Sequence, residues 1–443
     1  MLDRSCAWVS ERDDGRGALR VATPRSIRIP EGRARSILEL ACGAGVDASC
    51  TVWWVGGGVR DLLRGEGNLD LDLVVEGDMD AFLDAFVARS GGAVVSRSRF
   101  LTARLRLAGE RLDVARARQE RYPAPGALPV VAEGTVLDDL GRRDFSVNAM
   151  AISVAPELGA RFLDPHDGRR DLVARQLRIL HPGSFEDDPT RILRAIDFAA
   201  RFGFALEPGT EAEARSILAA GGLLRLSPRR RGAALERMLG RPRTAVLALD
   251  LAQELGALHA IDTGLRWDAE TRFRLIRSLS ALERESGAAA AATNCFLLTV
   301  LILAENDDLK LPARLAGSLS LHRGSATIVA ELRERSAEAM RLGPRSRASH
   351  AHRCLRSLHE VELARLAALR EDLESWVRRE NETMRPLRLT ISGDDLRRRG
   401  VVEGPHLGRA LLRTLDARLD GEIAATGELA FALAVASESR SES

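Results

Sequence analysis

The segment from Trp53 to Gly77, WWVGGGVRDLLRGEGNLDLDLVVEG, constrains this chain more than any other. Val52–Val55 is a short apolar run ending at Gly56-Gly57-Gly58, which reads as a strand entering a tight turn. Val59–Arg64 starts a helix, and the alternation over Leu69–Val75 predicts a strand. Side chains alternate faces along a strand. Leu69, Leu71 and Leu73 therefore share the core face, and Asp70 and Asp72 share the other. Two carboxylates side by side repel unless something neutralises them. A hard divalent cation does so, and Mg²⁺ needs only one or two carboxylates plus substrate phosphates. Glycines let the backbone approach a ligand closely, and the free N–H groups of the following helix suit an anion. Arg60, in that first turn, opposes the helix dipole; a phosphate between them would resolve the conflict. In the alternative reading, Asp70 and Asp72 face solvent and the glycines only make a turn.

A chain of 443 residues is long enough for several domains. About three are expected from the usual domain size. Apolar content is 45% and the formal net charge only +2, which excludes disorder as the main state. With 65 basic against 63 acidic residues there is no global polycation, so nucleic-acid binding would need local basic patches. Residues 1–28 read as a loosely ordered leader and Pro30–Ala48 as mostly helix. Further strands are expected near Ala93–Ser96, Leu101–Leu107 and Arg111–Ala115. After about Asp171 apolar residues recur at three and four, and strand signals nearly vanish. The fold class is α+β: a mixed α/β head over 29–160, then a helical neck (161–240), body (241–380) and tail (387–443). Glu380–Leu389, polar and carrying Pro386, reads as a linker.

Five scattered cysteines support neither a disulfide framework nor a zinc site, and fit a reducing compartment. His350 and His352 read as surface residues. Gly287–Ala304 approaches membrane-span length, but it is alanine-rich and holds Thr293 and Asn294, so a buried core helix is expected. The N-terminus lacks an apolar signal region, and the expectation is a cytoplasmic protein with no membrane association.

A second constellation surrounds Pro189, which sits where a helix would begin behind Asp187 and Asp188, a good N-terminal signal. Asp188, Arg191, Arg194 and Asp197 are each three apart, so they share a face. On residue chemistry alone this could be a ladder of i,i+3 ion pairs.

GGGVRD followed by DLD resembles the head-domain signature of the class II nucleotidyltransferases, which comprise bacterial CCA-adding and A-adding tRNA nucleotidyltransferases and bacterial poly(A) polymerases. The resemblance continues in order through DVARARQERYPAPGALPVV (113–131), DDLGRRDFSVNAMAIS (138–153), LDPHDGRRDL (163–172) and SFEDDPTRILRAIDFAARFGF (184–204). LSPRRRGAALERML (226–239) and the tail 391–412 are weaker matches.

The resemblance implies a polymerase beta-like catalytic head and the addition of CMP and/or AMP, from CTP and ATP, to the 3′ end of tRNA. Asp70 and Asp72 would be the catalytic, metal-holding pair for Mg²⁺ in a two-metal displacement. Asp113 would be either a third carboxylate or a structural acid. Gly56, Gly57 and Arg60 resemble the triphosphate contacts; Arg142, Arg143, Asp144 and Asn148 match the motif that holds sugar and phosphates. On the helix, the resemblance implies a protein template of Asp188 and Arg191, with Arg194 beside the nucleotide. Cytosine and adenine both offer an amino donor next to a ring-nitrogen acceptor. One carboxylate and one guanidinium match them and mismatch uracil and guanine, at ~1–3 kcal/mol per mispaired buried group.

Two residues depart from the family pattern: Asp197 replaces a usual arginine, and Ala234 a common glutamate. RNA phosphates would be tracked by Arg229–Arg231, Arg397–Arg399 and the segment Glu403–Gly408. The loop ERYPAPGALP favours the tRNA-specific branch over a poly(A) polymerase. The competitor from another class is a non-catalytic RNA-binding homologue.

Overall fold

The computed structural model describes residues 27, 29–66, 70–107, 110–156, 161–286 and 292–438. It divides into two compact units, one running to residue 230 and taking in 251–261, the other made of 231–250 and 262 onward.

The first unit is built on a seven-stranded sheet. Its strands are β1 (Thr51–Val55), β2 (Asp72–Glu76), β3 (Ala93–Ser98), β4 (Thr102–Leu107), β5 (Glu110–Arg116), β8 (Ala151–Ser153) and β9 (Phe162–Leu163). β6 (Arg118–Arg121) and β7 (Val130–Glu133) form a separate hairpin. The sheet order is β3-β4-β5-β2-β1-β8-β9. β2 lies antiparallel to β1, with Val55 opposite Asp72, and parallel to β5, with Asp72 opposite Asp113.

Both faces of β1 are covered, which is why it reads VWWV without polar alternation. Val52 and Trp54 join Leu71, Leu73, Val75, Leu105 and Val114 in one core, closed by helices α1 (Arg33–Asp47) and α3 (Met79–Ser90). Trp53 and Val55 join Val74, Val136, Leu140 and Ala151 in a second core on the opposite face. Between β1 and β2 runs α2 (Gly57–Leu63), and between β7 and β8 runs α4 (Val136–Gly141). After the sheet, α5 (Gly168–Ala174) and α6 (Ser184–Asp187) lead to α7 (Thr190–Phe202).

The expected strand over 69–75 is shorter and shifted. It begins at Asp72, so Asp70 precedes the strand and is exposed, while Leu69 lies outside the described residues. Leu71 and Leu73 do take the core face. Most of the expected leader also lies outside the described residues, but Ile27 is buried in the head core beside Ile29. Beyond residue 171 the first unit is not purely helical, because Gln176–Leu177 and Ala205–Leu206 pair as two short parallel strands.

The second unit holds no strand among the described residues. Helix Ala292–Ala304 has Cys295 through Ala304 all buried, as its apolar sequence requires. No described helix is long and apolar enough to cross a membrane. Two expectations fail here. His352 is buried, not superficial, because its ring nitrogen is bonded to the Glu380 carboxylate at 2.8 Å. The expected linker begins with a buried turn, Glu380–Met384, whose Glu380 and Met384 are both inside.

Candidate active site

The site starts from the glycines after β1. Gly56 has φ +78°, a left-handed conformation that disfavours a side chain. A Cβ there would also stand 2.5 Å from Nη1 of Arg143. Gly56 thus lets the Arg143 guanidinium reach across the turn toward Asp72. Gly57 opens helix α2. Gly58 makes room for the main chain of the metal-binding candidate, since a Cβ on it would fall on the carbonyl oxygen of Asp70.

Asp72 sits half-buried at the start of β2. Burial, joined by the neighbouring Asp70, Asp113 and Asp139 charges and opposed by Arg143, pushes its carboxyl up to about 6. Burial and like charge both disfavour an ionised carboxylate. Two hard oxygen donors with an excess of negative charge fit a divalent cation, and Asp70 and Asp72 are the residues that could hold it. Asp113 is adjacent, but Arg104 engages its carboxylate at 2.8 Å. Among the described residues no group of three or more His, Cys, Asp or Glu side chains is arranged around a common ion position. A concavity of about 280 Å³ opens beside this pair, lined by Asp72, Ser96, Ser98, Arg104, Asp113 and Arg143 among others.

Helix α4 delivers the arginines. Thr135 and Asp138 form a capping box at its start, which satisfies two backbone donors reciprocally. Glu76, at the end of β2, ties it to the sheet by accepting the Val136 N–H at 2.7 Å and the Trp53 indole N–H at 2.9 Å. Asp139 is fully buried and accepts from Arg142 at 2.6 Å and Arg143 at 2.9 Å. Burial favours its neutral form, but the two guanidiniums prevail and hold the carboxyl below its ordinary range. Arg142 also donates to Glu120 at 3.0 Å, and Glu120 accepts the Tyr122 hydroxyl at 3.0 Å.

Asp144 is buried and joins two other candidates. It accepts from Asn148 at 2.9 Å and pairs with Arg194 at 2.5 Å. Burial raises its pKa, but Arg194 and Asn148 outweigh that and leave it lowered. Asn148 in turn accepts from Arg60 at 2.6 Å. Arg60 lies against the turn, since a Cβ on Gly57 would stand 3.5 Å from its Nη2, and it is also engaged within the chain. It is buried, pairs with Asp61 at 2.9 Å and lies over the Phe202 ring at 4.5 Å. The unfavourable cation in the first turn of α2 is thus met by partners within the chain.

The helix constellation differs from an i,i+3 ladder. Asp188 is extended and precedes helix α7. Its Oδ1 accepts the Thr190 N–H at 3.0 Å and Arg230 at 2.9 Å. Arg191 is buried, donating to Ser184 Oγ at 2.5 Å and to the Arg142 carbonyl at 2.8 Å. Arg194 goes to Asp144, while Asp197 pairs with Arg201 at 3.7 Å. Within the Arg229–Arg231 triplet only Arg229 is exposed, since Arg230 serves Asp188 and Arg231 is buried on the Ser318 carbonyl. Arg397 and Arg398 pair with Asp394 and Asp395.

The structure therefore lines the concavity with Asp72, Arg142 and Arg143, sets Gly56 and Asp70 close to Asp72, and links Arg60, Asn148, Asp144 and the part-exposed Arg194 in one chain of polar contacts. Sequence reasoning missed Trp54, Glu120 and Asp139, and read Arg230 as a phosphate contact when it is the partner of Asp188. The spacing of Asp139 three and four residues before the two arginines was a usable helical signal. The pairing of Arg230 with Asp188 had none, since the two are remote in the chain.

Over residues 52–178 the sequence matches the poly A polymerase head domain. The match is confined to this part of the 443-residue chain. It is 47% identical over 157 residues to an A-adding tRNA nucleotidyltransferase of Halalkalibacterium halodurans, covering 35% of this chain and 37% of that protein. An A-adding tRNA nucleotidyltransferase of Geobacter sulfurreducens is 33% identical over 395 residues, covering 86% of this chain and 44% of that protein. The chain thus spans less than half the length of these relatives. A structural likeness extends along most of the chain. The Thermotoga maritima CCA-adding enzyme complexed with tRNA aligns at a TM-score of 0.70 and 28% identity, over 91% of this chain and 96% of that one.

Proposed function

We propose that this chain transfers CMP and/or AMP from CTP or ATP to the 3′ end of tRNA, releasing pyrophosphate. The observation that carries the reading is Asp72, half-buried beside Asp70 and Asp113 in an open concavity, with its carboxyl pushed up to about 6 by burial and neighbouring charge. Burial and the neighbouring acids leave the Asp72 carboxylate favouring a cation beside it. Asp70 and Asp72 would hold Mg²⁺, which when bound activates the RNA 3′-hydroxyl and offsets charge on the leaving pyrophosphate.

The chain's own residues do the rest. Arg143, oriented by Asp139 and admitted by Gly56, meets the triphosphate. Arg142, locked between Asp139 and Glu120, keeps that guanidinium in place. Asp188 and Arg191 read the base edge: the Oδ1 of Asp188 is anchored by Thr190 and Arg230, which directs its other oxygen to an exocyclic amino group. In this assignment residues 161–240 select the nucleotide and 387–443 bind tRNA. The names of the relatives favour the terminal AMP among the possible additions.

The test is incubation with tRNA transcripts lacking the whole CCA, lacking only the final A, or complete, with one labelled nucleotide at a time. Label from ATP on the transcript ending in CC is the expected result. Absence of label from every transcript would leave a non-catalytic RNA-binding protein as the better reading.

A further inference from the structure

Asp70 poses a structural problem that the strand does not solve. The β2 ladder begins at Asp72, so no strand pairing fixes the backbone of Asp70, an exposed acid two residues earlier. What grips it is the core. The Trp54 indole, wholly buried in the neighbouring strand, donates its N–H to the Asp70 carbonyl at 3.1 Å. A buried indole N–H needs an acceptor, and here the acceptor is the main chain of the acid itself. Gly58 belongs to the same device, because a Cβ on it would lie 2.6 Å from Trp54 Nε1 and would displace the Asp70 carbonyl.

The geometry points to Trp54 as a positioning residue for the metal pair: its indole N–H fixes the Asp70 main chain so that the Asp70 and Asp72 carboxylates converge. This inference rests on the assignment of Asp70 and Asp72 as the cation-holding pair. Trp54 touches neither nucleotide nor RNA in this account; it acts only through Asp70. The consequence is specific. Without the N–H the pair keeps its chemistry but loses preorganisation, so cation affinity falls while turnover at saturating cation persists.

The experiment uses Trp54→Phe, which keeps an aromatic ring in the core and removes the donor, with Mn²⁺ binding to the substrate-free protein followed by electron paramagnetic resonance. The Mn²⁺ dissociation constant should rise about tenfold, the scale seen when a residue supporting a metal ligand is lost. The Mg²⁺ concentration for half-maximal transfer should rise in step. kcat at saturating Mg²⁺ should stay within about threefold of wild type. Replacing the Trp54 indole with benzothiophene, sulfur for N–H at nearly constant volume, should give the same shift and serves if the Phe variant does not fold. A dissociation constant within twofold of wild type for either protein would overturn the inference, as would a kcat loss that saturating Mg²⁺ does not restore. Asp72→Asn separates the two claims. If it leaves Mn²⁺ binding intact, the metal assignment itself fails; if it abolishes binding while the Trp54 variants bind normally, only the role of Trp54 fails.

Discussion

Asp188 and Arg230 are joined at 2.9 Å, although they lie far apart in sequence. The same guanidinium donates to the Gly126 carbonyl at 2.5 Å. The carboxylate proposed to read the base is therefore oriented by a residue outside its own helix. Arg191, the other proposed reader, is held independently by Ser184 and the Arg142 carbonyl.

Arg230→Met should consequently disturb the reading of the base more than the chemistry. A hydrogen bond to a charged group contributes about 1.5–3 kcal/mol, so discrimination against UTP and GTP should narrow roughly tenfold or more. Steady-state kinetics with all four nucleotides checks this. A uniform loss across the four would mean that Arg230 only stabilises the fold.

The pH dependence of stability should carry the signature of Asp72. Its carboxyl titrates at about 6 in the folded chain against an ordinary 3.8. Folding therefore favours the protonated form. That contribution is fully present below pH 3.8 and is lost as pH rises through about 6. A rise of this size corresponds to roughly 3 kcal/mol, and partial solvent access reduces this to about 1–2 kcal/mol. In metal-free buffer Asp72→Asn should melt above wild type at about pH 8 and equal it near pH 4. Thermal melts at both pH values check it. Mg²⁺ should narrow or reverse the order at the higher pH by binding the wild type alone.

Asp139→Asn leaves the buried ends of Arg142 and Arg143 without their shared counter-ion. Breaking a buried pair from one side costs about 3–5 kcal/mol. Denaturant titration should show a loss of this order. Nucleotide KM should rise at temperatures where the variant remains folded, because Arg143, the proposed triphosphate contact, loses the acid that orients it.

Asp197 invites the idea that it draws Arg194 from the nucleotide. Arg194 is instead held by Asp144, and the ion pair of Asp197 is with Arg201. Asp197→Asn should leave the KM for ATP and CTP within about twofold. A KM change of fivefold or more would place Asp197 beside the nucleotide after all.

The legibility of the site followed the range of the interactions. The glycine turn, the two aspartates and the arginine pair lie within local patterns whose period or backbone demands are visible in the chain. The α+β division was readable from the change of apolar period near Asp171. Partner choice was not. Whether Arg194 pairs with Asp197 or Asp144 depends on how α7 packs against a much earlier segment, and no spacing rule along one helix encodes that. The same holds for Arg60, where the sequence showed the conflict with the helix dipole but not that Asn148 and Asp61 resolve it. His352 was misjudged because its partner, Glu380, lies in a segment whose polarity suggested a solvated linker.

The central claim is that Asp70 and Asp72 together run nucleotidyl transfer. The most direct measurement is the single-turnover rate of AMP transfer to tRNA ending in CC, at saturating Mg²⁺, for wild type, Asp70→Ala and Asp72→Ala, with circular dichroism confirming the fold of each. The account predicts a loss of at least about a thousandfold in both variants, several kcal/mol of transition-state stabilisation, with the fold intact. A correctly folded variant that transfers AMP within tenfold of wild type would contradict it.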